Sequence, residues 1–133
     1  MDIKRPAFLI IMNHELTQAQ QDDAAATLGV KTFIFLSSEL SQLWCAIPPE
    51  LEVLKEYLQP IKKWLCYNGN SGDYALIQGD PGGCFLLANY CLECSMVPVY
   101  ATTKRETVEH KMPDGTVKMT RIFKHVKFRK YGI

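Results

Sequence analysis

The sequence predicts an α/β domain: a Rossmann-like, mainly parallel sheet flanked by helices, with a C-terminal β-hairpin. Three observations lead there. The run Ala7-Phe8-Leu9-Ile10-Ile11-Met12 is apolar at every position, which suits a strand covered on both faces. Strand-like runs then alternate with segments that carry helix caps, and such alternation implies parallel strands joined by right-handed crossovers. Finally, 133 residues with 47% hydrophobic and 22% charged content suit one domain, residues 1–133, with a core of its own.

Taken in order, Ala7 to Met12 is the first strand. Thr17-x-x-Gln20 has capping-box form and Gly29 is a helix stop, so a helix is expected from about Gln18 to Leu28. Lys31 to Leu36 reads as the second strand. Ser38 can cap a short helix running to about Cys45, and Pro48-Pro49 can open another. In that helix Leu51, Leu54, Leu58, Ile61 and Leu65 make one apolar face, and Pro60 should bend or break it. Asn68 to Gly72 is a turn cluster.

Asp73 to Gln78 is the third strand, Asp80-Pro81-Gly82-Gly83 opens a helix to about Cys94, and Met96 to Ala101 is the fourth strand. Pro98 argues for an edge position or a bulge there. The remainder reads as a hairpin: Lys104 to Lys111, a turn at Met112-Pro113-Asp114-Gly115, and Thr116 to Tyr131. Val117 and Met119 alternate on one phase, Val126 and Phe128 on the other. A bulge or bend near Arg121 would reconcile them.

No apolar run reaches the roughly 18 residues of a membrane span. The charged start, Met1 to Arg5, leads into an apolar stretch without a small-residue cleavage site, which reads as a strand and not as a signal peptide. Five cysteines, an odd number, suggest reduced thiols in a cytoplasmic protein. Cys91-x-x-Cys94 has zinc or redox spacing but lacks a second pair, which favours a structural reading. Neither a metal nor a cofactor is expected. Charge is unevenly spread: residues 1–100 hold 6 Lys+Arg against 11 Asp+Glu, net −5, and residues 101–133 hold 9 against 3, net +6. The basic third suits either an anionic partner or a solvated hairpin.

In open parallel sheets ligands bind beyond the carboxyl ends of the strands. That rule selects three loops. Asn13-His14 offers an amide and an imidazole able to move protons. Gly79-Asp80-Pro81-Gly82-Gly83 starts a helix whose first N–H groups look open to an anion, with Asp80 as cap or as partner for a ribose hydroxyl. Thr102-Thr103-Lys104-Arg105 has two hydroxyls and two cations, a plausible phosphate clamp.

Five stretches together carry a resemblance. They are Asn13-His14-x-Leu16-Thr17, Leu43-Trp44-x-x-Ile47-Pro48-Pro49, Asp73-Tyr74-x-Leu76-Ile77-Gln78-Gly79-Asp80, Tyr100-Ala101-Thr102-Thr103-Lys104-Arg105 and the closing Phe123 to Tyr131. From about residue 7 to the C-terminus the chain resembles the CRISPR-associated Csx-twenty family of type III loci. The resemblance implies a CARF-like domain that binds cyclic tetra-adenylate at the two-fold interface of a homodimer. It implies a metal-independent ring nuclease that switches off the antiviral signal. Asn13, Gly79, Asp80, Gly82, Gly83, Thr102 and Thr103 would then bind the ligand. His14 would act as general acid or base, with Lys104 and Arg105 as charge stabilisers. No membrane and no stable nucleic-acid partner are expected. The alternatives are a sensor or sponge that binds the ring without cutting it, and a nucleic-acid binder that uses the basic hairpin.

Overall fold

In the computed structural model, which describes residues 5–133, one five-stranded sheet has the order β2-β1-β3-β4-β5. The strands are β1 (Ala7–Ile11), β2 (Thr32–Phe35), β3 (Tyr74–Ile77), β4 (Val97–Lys111) and β5 (Val117–Lys130). The first four run parallel, and β5 returns antiparallel along β4. The helices are α1 (Gln18–Asp23), α2 (Ser38–Cys45), α3 (Gln59–Asn68) and α4 (Pro81–Glu93). The α/β class with a mainly parallel sheet and a C-terminal hairpin is therefore the observed architecture.

Two cores explain the unbroken apolar run of β1. Phe8 and Ile10 join Leu76 and Val99 on the α1 side, while Leu9 and Ile11 join Ala75 and Ile77 on the side of α3 and α4. A strand in mid-sheet with helices on both faces has no position left for a polar residue. At the amino edge of the sheet, buried Asp73 satisfies its carboxylate by accepting from Ala7 N (3.0 Å) and Asn70 N (2.8 Å).

The capping box at Thr17 and Gln20 forms as expected. The helix it starts is not uniform, because residues Ala24–Leu28 widen into a π-helical turn before Gly29. Thr27 contributes there by donating its hydroxyl to the Asp23 carbonyl at 2.8 Å. The cap of α2 is Ser37, whose side chain accepts from Leu40 N, and not Ser38.

No helix opens at Pro48-Pro49. Residues 49–58 are turns and irregular chain, and α3 begins only at Gln59 with Pro60 in its first turn. Proline lacks an N–H and clashes with the carbonyl four residues back, so Pro60 starts a helix here instead of bending one. Leu58, Ile61 and Leu65 are nevertheless buried together.

Pro98 lies in neither an edge strand nor a bulge, since β4 has β3 on one side and β5 on the other. Its carbonyl accepts from Tyr131 N (3.0 Å), so its nitrogen faces the same way, past the last ladder pair Val99↔Lys130. No donor is needed at that point.

The largest departure concerns the fourth strand. β4 does not stop at Ala101 but continues to Lys111, so Thr102 to Arg105 is strand and not loop. Its pairing with β3 ends at Val99, and beyond that β4 and β5 run on as a two-stranded ribbon. The bulge that reconciles the two phases of β5 falls at Val126, opposite Thr102 and Thr103, and not near Arg121.

A side-chain pair on its α1 side helps tie the ribbon to the body. His125, whose side chain is 6% exposed, pairs through Nε2 with Asp23 Oδ2 at 2.8 Å, and its Nδ1 is buried without a partner among the described residues. His125→Ala is expected to cost about 2 kcal/mol, the value of a hydrogen bond to a charged group. Limited proteolysis should then cut the ribbon faster than in the parent, and an unchanged cleavage pattern would mean that the ribbon is held elsewhere.

Candidate functional site

The carboxyl ends of β1 and β3 point toward one edge of the sheet, and chain order reverses between them: β1 leads to β2 on one side, whereas β3 leads to β4 on the other. Open sheets form their ligand crevice at such a switch point. Here the crevice is covered by Trp44 of α2, which is 2% exposed and donates its indole N–H to the Gln78 carbonyl at 2.8 Å. Beside it, the Cys45 thiol donates to Asn13 Oδ1 at 3.3 Å.

This indole accounts for two of the glycines. Gly79 has φ +150°, a conformation reserved for glycine, and a Cβ there would lie 2.8 Å from Trp44 Nε1. At Gly83 a Cβ would lie 2.8 Å from Trp44 Cζ3. The expectation of an open helix start is corrected as well. Asp80 is the N-cap, and its carboxylate already takes the Gly83 N–H at 2.8 Å. A carboxylate across the first turn disfavours a phosphate at that point.

With the central crevice filled, a cavity lies on either side of it. One, of about 460 Å³, is lined by Asn13, His14 and Glu15 with Phe35, Leu36 and Ser41. Asn13 and His14 are both exposed at its rim. The other, of about 620 Å³, lies between α4 and the root of the ribbon, and its walls include Gln78, Gly79, Phe85, Asn89, Tyr100 and Tyr131. Tyr131 donates its hydroxyl to the Ile77 carbonyl at 2.6 Å, and Gln78 Oε1 accepts the Ala101 N–H at 2.6 Å. Burial pushes up the Cys84 thiol in this wall, which keeps it protonated and a poor nucleophile. Burial likewise pushes Cys91 up to about 12, in keeping with a packed, structural thiol. All five cysteines are free, and among the described residues no cluster of His, Cys, Asp and Glu could hold a metal.

Because Thr102 to Arg105 is strand, its side chains alternate between faces. Thr102 and Lys104 share the face of Tyr100 and the larger cavity. Thr103 and Arg105 share the opposite face with His125 and Phe123, their direct partners on β5. The guanidinium of Arg105 sits 5.4 Å from the Phe123 ring centre. Lys104 and Arg105 therefore do not form one clamp, and neither lines the cavity that holds His14.

The chain matches the model described as "Uncharacterized protein MJ1673 family" over residues 6–129. The chain belongs to this family. It is 40% identical over 127 residues to "Uncharacterized protein MJ1673" of Methanocaldococcus jannaschii, an alignment covering 96% of this chain and 98% of that protein. No solved structure matches it. Neither description names an activity.

Several residues of the site escaped the sequence reading. Trp44, Gln78, Tyr100, Arg129 and Tyr131 all stood in noticed motifs, yet nothing in their spacing assigns them to a cavity wall. For Tyr100 and Arg129 a signal arises only with the register, which sets them opposite each other. There the Arg129 guanidinium lies 5.7 Å from the Tyr100 ring centre and donates to its hydroxyl at 3.3 Å. Among the described residues no helix is long and apolar enough to cross a membrane.

Proposed function

We propose that this chain is a metal-independent ring nuclease that binds cyclic tetra-adenylate and opens it, acting in the cytoplasm on the type III CRISPR signal. The observation that carries this reading is the spread of the candidate groups along one sheet edge. Asn13 and His14 rim one cavity, Gly79 lines another, and Arg105 and Lys104 stand on opposite faces of a ribbon beside them. A small ligand touches only one of these places. A ring of four nucleotides, with several bases and phosphates, is large enough to engage them together. The five stretches that resemble the Csx-twenty family supply the identity of the ring.

The reaction needs no outside nucleophile. A ribose 2′-oxygen attacks the adjacent 3′-phosphorus, and the bond from phosphorus to the 5′-oxygen breaks. The proton leaves the 2′-hydroxyl and one is delivered to the 5′-oxygen, so the products carry a 2′,3′-cyclic phosphate and a 5′-hydroxyl. The protein's work is to hold the attacking and leaving oxygens in line and to stabilise charge on phosphorus. His14 is the group for proton transfer, and Arg105 is the planar donor for the phosphoryl oxygens. A second copy related by a two-fold axis would present the same groups to the other half of a symmetric ring.

Incubation of labelled cyclic tetra-adenylate with the protein, followed by product separation, tests this directly. Linear adenylates ending in cyclic phosphate are the expected outcome, with or without a chelator. An intact ring after long incubation at excess protein, with the ligand bound, would leave a sensor or sponge. One observation favours a second reading: Phe123 is 65% exposed beside Arg105 on a basic ribbon, which suits stacking and backbone contacts to single-stranded nucleic acid. Strongly salt-dependent binding to long RNA that survives Arg105→Ala but is lost with the ribbon's lysines would favour it.

A further inference from the structure

We propose that the cavity between α4 and the root of the ribbon is a purine slot. The inference deepens the reading above and rests on it for one point, that the purine is adenine. At about 620 Å³ the cavity falls within the ~300–1,000 Å³ usual for small-molecule sites. Its lining is mostly apolar, and the aromatic groups are placed for stacking. Tyr100 and Tyr131 form one wall, their ring centres 4.9 Å apart and tilted by 60°. Phe85 and Leu92, both more than half exposed, stand at the α4 side, with Asn89 between them on the same helix face. Exposed apolar side chains grouped around a recess mark an interaction site.

The polar groups fit a purine edge. Gln78 spends its amide oxygen on the Ala101 N–H, so its NH₂ is the group it has to offer a ligand. Asn89 can both donate and accept. Adenine presents a ring-nitrogen acceptor next to an amino donor, and one donating amide together with one ambivalent amide matches that pair.

The charge fits a phosphate carried on the ribose of that base. Arg129 lies over Tyr100, and the register sets Lys127 opposite Thr102 and Lys124 opposite Lys104, all on the face that turns toward α4. These cations do not line the cavity but continue the same face outward along the ribbon, where an acyl chain or an apolar peptide would have no use for them. The arrangement also gives Lys104, separated from Arg105 by the strand alternation, its own task at the slot's phosphate.

The test is calorimetric titration with adenosine monophosphate, and with inorganic phosphate as the control, using the parent, Tyr100→Leu and Leu92→Trp. Tyr100→Leu removes a stacking wall, and Leu92→Trp fills the mouth from an exposed position that tolerates bulk. The expected result is nucleotide binding by the parent that weakens at least about tenfold in both variants, the loss of one stacking face, with phosphate alone far weaker. In ring opening both variants should raise KM by a similar factor and leave kcat within about twofold. Undiminished nucleotide binding in both folded variants, or no binding by the parent at millimolar nucleotide, would overturn the slot. A parent that binds the mononucleotide in this way but leaves the cyclic ring intact would overturn cleavage and leave the slot standing. Ring opening with unchanged KM in both variants would do the reverse.

Discussion

Gly83→Ala is expected to destabilise this protein by about 2 kcal/mol, and to stabilise it once Trp44 has been replaced by alanine. The first half follows from contact. A methyl at Gly83 would meet the Trp44 ring at 2.8 Å, closer than real Cβ atoms come, and overpacking of this kind costs about 1–3 kcal/mol. The second half follows from helix propensity. Gly83 lies within α4, where alanine is better than glycine by about 0.8–1 kcal/mol, and its backbone needs no glycine conformation. Trp44→Ala alone should cost about 3–5 kcal/mol, since the indole is buried and its N–H satisfies the Gln78 carbonyl. Denaturant titrations of the two single mutants and the double mutant close the cycle. Additive effects would mean that the glycine is present for some other reason, and the anion reading of that turn would regain its standing.

The second large effect concerns the proposed ring opening. Arg105→Ala should slow single-turnover opening of cyclic tetra-adenylate about 100-fold, or about 2.7 kcal/mol, the usual loss when one stabiliser of the transition state is removed. His14→Ala should do the same if it moves the proton. Arg105→Lys should recover little, because a lysine lacks the planar fork and would lose the stacking on Phe123. Lys104, on the other face of β4, should behave differently: Lys104→Ala is expected to raise KM more than it lowers kcat. Unchanged single-turnover rates in both Arg105→Ala and His14→Ala would send the search for the catalytic groups elsewhere along the edge.

Most of the fold was legible because its signals are local. The apolar run of β1, the capping box at Thr17, Asp80 with Pro81, and the Asp114-Gly115 turn each act over a few residues. The errors came where a distant partner decides. Leucines at helical spacing extended a helix backward across Pro60, although turns can bury leucines as well. The sequence suggests one strand ending at Ala101 and a separate hairpin arm from Lys104, but a strand with an antiparallel neighbour need not end where the sheet does. That one misjudged boundary turned Thr102 to Arg105 into a loop and set Lys104 and Arg105 side by side. Gly82 and Gly83 suggest a helix start left open to an anion or to a close neighbour, and only the position of Trp44 shows what Gly83 makes room for.

A sheet that ends in a long ribbon also has an exposed flank. β5 is an outer strand of fourteen residues, and such an edge can recruit further strands from other molecules. This edge is poorly suited to that. Lys118, Lys124, Lys127 and Lys130 recur along it, and the irregularity at Val126 interrupts its flat hydrogen-bonding line. At the opposite edge β2 offers only four residues. The lysines proposed to face a phosphate therefore also guard the molecule against edge-to-edge aggregation, so neutralising them for a binding experiment should be done one at a time.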